Sequence, residues 1–423
     1  MFTTSNIIDE SGQKCRLTRL VPELLARIPL YQREHYPTAA ESERSDCELD
    51  AFLEIPFITK SDLRIGFPKN FLGEDGDLDS LLADESVELE HTSGTSEERT
   101  PLLLKKGWWL EQEMDALRLN SFVASVLDEN PRARRITINS PTCNNDICYT
   151  TVPSRDERIV GDSLSLSLSR HPFLWNTEEL ERMAAEAVEW NPVFLDLDPV
   201  YGVIFAIHCE KHGIKLPALR FVLCSYEYVS DVHRRILSRV FGVPVLTLYG
   251  ATESGHLLME DAHGGLVPST ETAYLEIVHE DVHGIGRLVT TTFTNEYMPL
   301  LRYQLGDLAS VREISGHEHY FIHGREKDSL HLADGRRITT RDVDACFASV
   351  TGIIHYQLVQ QSDEIFLLKY VADVSAPEKT VLTALKKRIE DLLDANGRVT
   401  LAQTDLILPE GSGKFRLLVP KQK

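Results

Sequence analysis

Between residues 135 and 249 the sequence keeps changing period, from short β-branched or apolar runs to longer amphipathic stretches and back. RITINS (135–140), VFLDLD (193–198), FVLCS (221–225) and VPVLTLY (243–249) read as strands. Residues 176–189, 200–212 and 229–241 carry apolar side chains at helical spacing, and Gly213 closes the second of these stretches. Strands alternating with helices predict an α/β fold with mostly parallel sheets flanked by helices.

The flanks differ. Residues 1–90 read as an irregular helical lead-in, with a helical stretch at 19–28 and prolines at 56 and 68. The polar stretch HTSGTSEERTP (91–101) is by itself either a phosphate-holding loop or a plain connector, and the spacing predicts a helix over 103–128 directly after it. After residue 270, TAYLEIV, RLVTTTF and HYFIHG are short, β-rich and separated by turn residues. They predict a small β-rich subdomain, antiparallel or barrel-like. Beyond Gly324 the pattern predicts a compact, mobile α+β domain: a short helix at 340–349, strands near 353–360 and 364–371, a long helix at 377–395 and a strand at 404–408. A chain of 423 residues exceeds the ~250–300 at which one core stops growing. The expected division is a lead-in packed on the large domain (1–90), a core (91–323) and a C-terminal lid (324–423).

Charge and composition exclude several classes of function. A net charge of -21, from 44 basic against 65 acidic residues, repels polyanions, and no strongly basic face is evident, so nucleic acid is not an expected partner. No apolar run reaches the ~18–20 residues of a bilayer crossing, and the start lacks a basic segment followed by an apolar one; the expectation is a cytoplasmic protein with no membrane association. The seven cysteines are odd in number and scattered, as reduced thiols are. His208-Cys209-Glu210 lacks the downstream P-C-x-x-C of zinc deaminases and reads as the polar end of a helix. The His208/His212 pair suggests no third metal ligand. EGSGKF (410–415) lacks the first glycine and the Ser or Thr of a P-loop.

The polar loop at 91–101 gains its meaning from a series of motifs downstream. LCSYEY (223–228), YGATES (249–254), GRLVTTTFTNEYMPLLRYQLGDLA (286–309), GREKD (324–328) and GSGKFR (411–416) occur in that order. This series resembles the adenylate-forming superfamily of acyl-CoA synthetases, most closely its phenylacetate-CoA ligase-like branch, over about residues 91 to 416. The resemblance implies a two-step reaction. A carboxylate, here expected to be an aromatic or related acid, attacks the α-phosphate of ATP to give acyl-AMP and pyrophosphate; a thiol, usually that of CoA, then takes the acyl group.

The resemblance also assigns residues. Thr92, Ser93, Gly94, Thr95 and Ser96 match the phosphate loop, whose hydroxyls and backbone N–H groups wrap the β- and γ-phosphates. Tyr249 matches the aromatic that lies against adenine, Gly250 the close approach of substrate and nucleotide, and Ala251 stands within the same motif. Thr252 matches the α-phosphate contact and Glu253 the Mg²⁺ ligand. Asp307 matches the acceptor of both ribose hydroxyls, Arg302 and Tyr303 a support for that turn, and Arg325 a second ribose or phosphate contact. Lys327 falls at the hinge on which the C-terminal domain swings. Lys414 matches the lysine that neutralises charge at the α-phosphate. Ser225, Tyr226 and Glu227 match the segment bordering adenine and the acyl pocket; Tyr226 places bulk where the family has a small residue, and either reshapes the pocket or stacks there. Asn144, Asn145, Tyr149, Tyr226 and His256 are the expected acyl-pocket residues, suggesting a partly polar aromatic acid.

The pattern is broken in three places. Glu97 and Glu98 stand where the family continues with glycine and lysine, placing two carboxylates beside the triphosphate. His331, Ala333, Asp334 and Gly335 replace the stretch that lines the pantetheine channel. The cysteines that some relatives carry after the YGxTE motif are absent, so no zinc is expected. The expected cofactors are ATP and Mg²⁺, with CoA as candidate second substrate. The alternatives are an adenylate handed to a downstream enzyme or carrier protein, and a non-catalytic relative that binds a nucleotide or an aromatic acid. The chain is also compatible with a homodimer.

Overall fold

The structure is a computed structural model describing residues 10–33, 36–37, 52–92, 99–141, 153–314 and 316–421. It is a mixed α/β fold whose chain divides into two compact units, one of residues 1–121 with 248–322, the other of residues 122–247 with 323–423. Among the described residues no helix is long and apolar enough to cross a membrane.

In the first unit the strands Ala273–Val278, Gly286–Thr292, Tyr303–Ile314, 317–322, Leu266–Pro268, Gly255–Glu260 and 248–251 lie side by side in that order. Each neighbouring pair whose register is resolved is antiparallel, from Ala273↔Thr292 to Tyr249↔Leu258, as the β-rich pattern after residue 270 predicts. Two turns with one sequence, E-D-x-H-G, connect strands of this sheet. Asp261 Oδ1 accepts from the N–H groups of His263 and Gly265 (2.8 and 3.1 Å), and Asp281 Oδ1 from those of His283 and Ile285 (2.9 and 3.1 Å).

The lead-in belongs to this unit. Helix Glu10–Arg27 buries Leu17, Val21, Leu24 and Leu25 in the same core as Leu258, Leu288 and Leu301. The buried Arg302 ties it further. Its guanidinium bonds Glu276 through two nitrogens (3.2 and 2.8 Å), donates to the Ile55 carbonyl (2.9 Å) and stacks on the Phe57 ring (4.3 Å).

The helix expected over 103–128 is not one element. Pro101–Lys105 is a strand paired antiparallel with Val87–His91, and helices Trp108–Leu117 and Ser121–Glu129 follow. Leu102, Leu103 and Leu104 are all buried, so this run carries no periodicity to separate a buried strand from a helix. Gly107, in the left-handed region at φ 75°, sets the boundary. The strands on either side of the polar stretch thus pair with each other, from Val87↔Lys105 to His91↔Pro101.

In the second unit, Phe194–Leu197 lies between Phe221–Cys224 and Arg135–Ile138, all parallel, with Leu197 opposite both Cys224 and Ile138. Val245–Thr247 extends the sheet on one side and Ser163–Ser165 on the other. The four residues of Phe194–Leu197 and of Phe221–Cys224 are all buried, as strands covered on both faces must be. The crossover helices are capped as their sequences dictate. Asn176 caps Thr177–Trp190, Asp198 caps Pro199–His212 with proline in its first turn, and Ser230 caps Asp231–Phe241; Gly213 and Gly242 end the latter two in the left-handed region.

Residues 323–421 complete this unit with the sheet Val399–Gln403, Phe366–Ala372, Ile353–Gln360 and Leu418–Val419, helix Thr340–Ala345 and helix Lys379–Leu393. The last long strand is Val399–Gln403 and not 404–408. Helix Lys379–Leu393 ends at Asp394 in the left-handed region, and the chain pairs at once in parallel with Phe366–Ala372, burying Val399. Helix Asp231–Phe241 packs on Ile353–Gln360, where Nε2 of His233 and Nδ1 of His355 lie 3.0 Å apart, and Asp344 accepts from the Asp231 N–H (3.0 Å) and the Tyr356 hydroxyl (2.7 Å).

Candidate active site

In the first unit, Thr92 closes the neck of the loop at 91–101. Its N–H donates to the Thr100 carbonyl and its hydroxyl accepts from the Thr100 N–H, both at 3.0 Å. Ser93, Gly94, Thr95, Ser96, Glu97 and Glu98 lie outside the described residues.

The YGATES stretch turns the chain from Val245–Ala251 into Gly255–Glu260. Gly250 is required by this turn, because a Cβ there would stand 2.3 Å from the Gly255 carbonyl oxygen and 2.9 Å from His256 Cα. The close approach at Gly250 is thus made by the chain's own backbone. Ala251 accepts from the Ser254 N–H (3.0 Å), and Thr252 is half-buried at the turn. The Tyr249 hydroxyl donates to Asp307 Oδ2 at 2.7 Å, uniting two expected nucleotide contacts.

Glu253 is buried, and its Oε1 accepts from the Tyr303 hydroxyl (2.6 Å) and lies 3.2 Å from Lys60 Nζ. Burial pushes its carboxyl up, but the Lys60 charge and the Tyr303 hydrogen bond outweigh it and hold the group below its ordinary range. Sequence reasoning missed Lys60; its one signal is its place in TKSD, where Thr59 and Asp62 form a capping box that fixes the short helix Lys60–Arg64. His256 is buried with its ring 4.6 Å from that of Trp109.

In the second unit the site residues gather at the carboxyl ends of the parallel strands, where open α/β sheets bind ligands. Asp196 accepts from the Ser225 hydroxyl (2.5 Å) and the Tyr226 hydroxyl (3.0 Å), so Tyr226 is tethered at its phenolic end. Asp198 caps Pro199–His212 through Oδ1, and burial pushes its carboxyl up to about 7 against the lowering pull of the helix N–H groups and Lys414. Burial also raises Glu227, which the neighbouring Asp198 charge raises further and Lys414 and Arg325 oppose. One ammonium thus faces two buried carboxyls whose charged forms disfavour each other.

Lys414 itself is half-buried in a loop fastened on both sides. Glu227 Oε1 accepts from the Phe415 N–H (2.8 Å), and the Tyr201 hydroxyl donates to the Gly413 carbonyl (3.1 Å). Arg325 and Lys327 are exposed at the end of strand His317–Arg325 and the short helical turn after it, and Asp328 forms an ion pair with Arg416. Asn144, Asn145 and Tyr149 lie outside the described residues. Asp196, Asp198 and Tyr201 were not singled out from sequence, although D-P-V-Y after a buried strand is a recognisable helix start.

Among the described residues no group of three or more His, Cys, Asp or Glu is arranged to hold a metal. Glu253 fits Mg²⁺ in a narrower sense: it is one carboxylate of hard oxygens, and Mg²⁺ commonly takes one or two carboxylates together with substrate phosphates.

No known family profile matches the chain. It aligns over 455 positions with the phenylacetate-coenzyme A ligase of Thermus thermophilus, with 24% identity, covering 97% of this chain and 96% of that protein. This likeness supports the adenylate-forming superfamily and its phenylacetate-CoA ligase-like branch, the resemblance that the motifs carry. In fold, the chain is similar to 2-hydroxyisobutyryl-CoA ligase in the postadenylation state with 2-HIB-AMP, with a TM-score of 0.71 and 15% identity over 98% of this chain and 90% of that one. A more distant likeness is to the anthranilate CoA ligase AuaEII in complex with anthranoyl-AMP, with a TM-score of 0.53 and 14% identity over 78% of this chain and 66% of that one.

Proposed function

We propose that this ligase activates a carboxylic acid, aromatic or related, as its acyl-AMP at the expense of ATP, releases pyrophosphate, and passes the acyl group to CoA. The observation that carries the reading is Lys414, held by its loop at the carboxyl edge of the parallel strands beside Asp198 and Glu227. Bringing a carboxylate against a phosphate requires positive charge at the meeting point, and a preorganised ammonium supplies it without reorganisation. Asp307 and Tyr249 take the ribose and the adenine. Thr92 to Ser96 take the β- and γ-phosphates, Thr252 the α-phosphate and Arg325 the ribose or a phosphate. Glu253 holds Mg²⁺, which when bound neutralises phosphate charge. Lys327 is the hinge on which the C-terminal domain leaves the site for the second step.

The test is carboxylate-dependent ATP–pyrophosphate exchange across aryl, arylacetic and fatty acids. The expected result is exchange with aryl or arylacetic acids that vanishes in Lys414→Ala; exchange with no acid overturns adenylation. Thioester formed on adding CoA supports CoA as acceptor; acyl-AMP formation without thioester leaves a carrier or partner enzyme as the acceptor to be tested.

A further inference from the structure

Resting on the adenylation reading, we infer that Tyr201, Ser140, Arg170 and Glu227 are positioning residues for Lys414, forming a receptor that holds the loop 411–415 where acyl-AMP formation needs its ammonium. Four side chains from separate stretches of the second unit converge on this loop, and each bonds its backbone. Arg170 Nη1 donates to the Gly411 carbonyl (3.0 Å), the Ser140 hydroxyl to that of Ser412 (3.4 Å) and the Tyr201 hydroxyl, whose proton is shared with the Arg170 carbonyl (2.8 Å), to that of Gly413 (3.1 Å), while Glu227 Oε1 accepts from the Phe415 N–H (2.8 Å). The residues on both sides of Lys414 are therefore fixed, and its own side chain is left for charge neutralisation.

The loop is shaped for this seat. The Gly413 N–H donates to the Glu410 carbonyl (2.9 Å) and the Glu410 N–H to that of Lys414 (2.8 Å), closing a tight turn. Gly413 has φ +84°, and a Cβ on it would stand 2.0 Å from Ser140 Oγ and 2.6 Å from Ser140 Cβ. Only glycine lets the loop settle this deeply. A tail needing nothing but cover for strand Leu418–Val419 would not require a site fitted to backbone carbonyls. Misplacing a catalytic group by about 1 Å costs on the order of 100-fold in rate, so a receptor of four weak bonds has a large effect on turnover.

The receptor is also a latch, since the loop must leave it before the second step. Gly413→Ala is the decisive variant. The expected result is a fall of about 10- to 100-fold in kcat for adenylation with little change in the KM for ATP, while thioester formation from supplied acyl-adenylate and CoA is not slowed. Tyr201→Phe should move the same quantities less, and Ser140→Gly added to Gly413→Ala should restore part of the adenylation rate by making room for the new methyl group. Amide hydrogen exchange of the Phe415 N–H, which donates to Glu227, needs no substrate and should show protection in the wild type that Gly413→Ala removes. Equal protection in both proteins overturns the receptor, as does an equal loss of both half-reactions. A wild type without exchange on any acid overturns the adenylation reading instead, and the amide measurement still decides whether the receptor holds the loop.

Discussion

Tyr249 Oη lies 2.7 Å from Asp307 Oδ2, so the aromatic at the end of one strand is fastened to the carboxylate expected to take the ribose. The bond fixes the position of the Tyr249 phenolic end against that carboxylate. Asp307→Ala is expected to raise the KM for ATP by roughly 10- to 100-fold, the equivalent of one hydrogen bond to a charged acceptor at about 1.5–3 kcal/mol. Tyr249→Phe removes only the tether and should raise it less than about tenfold. Steady-state exchange kinetics with ATP varied checks both; an unchanged KM in Asp307→Ala removes Asp307 from the nucleotide site.

Lys60 sits beside the buried Glu253, and its removal should be felt as lost stability before it is felt as lost turnover. Glu253 titrates below its ordinary range in the folded protein, so its contribution is present above the unfolded pKa and is lost as pH falls through the folded value. Lys60→Met leaves burial as the dominant influence on Glu253. The expected cost is about 1–2 kcal/mol at pH 7, less than for a fully buried pair because the Lys60 side chain is 39% exposed. Urea unfolding at pH 7 and pH 4 checks this: the gap between wild type and variant should close at the lower pH.

The alternation that predicts the parallel sheet was legible because each strand of the second unit is a short buried run bounded by a capped helix. Asp198-Pro199 and Gly213 bracket one such helix in plain view. The pairing of Val87–His91 with Pro101–Lys105 was not legible, since PLLLK buries three successive leucines and has no period of its own. The split of residues 103–128 depends on the backbone of Gly107, which the apolar spacing does not record. At the site, motifs name single residues while the contacts join distant ones. Nothing in YGATES announces that Lys60 will meet Glu253, and nothing in GSGKFR announces the seat prepared by Tyr201 and Ser140.

Asp198 should make the protein less stable as the solution becomes more alkaline. Its folded pKa of about 7 lies above the ordinary value of 3.8, so its contribution is fully present below the unfolded value and is lost as pH rises through the folded one. Asn keeps the side-chain oxygen that caps Pro199–His212 and carries no charge. Asp198→Asn is therefore expected to gain on the wild type between pH 5 and pH 8, by on the order of 1–4 kcal/mol. Denaturant midpoints at the two pH values check it, and a constant difference between wild type and variant would show that Asp198 is ionised to the same extent folded and unfolded.

The buried pair His233 and His355 should act in the opposite direction. Both rings are neutral in the folded protein: burial lowers His233 to about 3, and burial together with the neighbouring imidazole lowers His355 well below the ordinary 6.5. Bases whose folded pKa is depressed give stability that is present above the unfolded value and lost as pH falls through it, here from about 6.5 downward. His355 also meets the edge of Phe415, next to Lys414, with ring centroids 5.2 Å apart, and the same pair joins helix Asp231–Phe241 to strand Ile353–Gln360. Replacing both histidines by phenylalanine removes the two groups that must bind protons on unfolding. The wild type is expected to lose stability between pH 7 and pH 5 more steeply than the His233→Phe/His355→Phe double variant. Thermal unfolding across that range measures the two slopes, and parallel slopes would place the acid sensitivity elsewhere in the molecule.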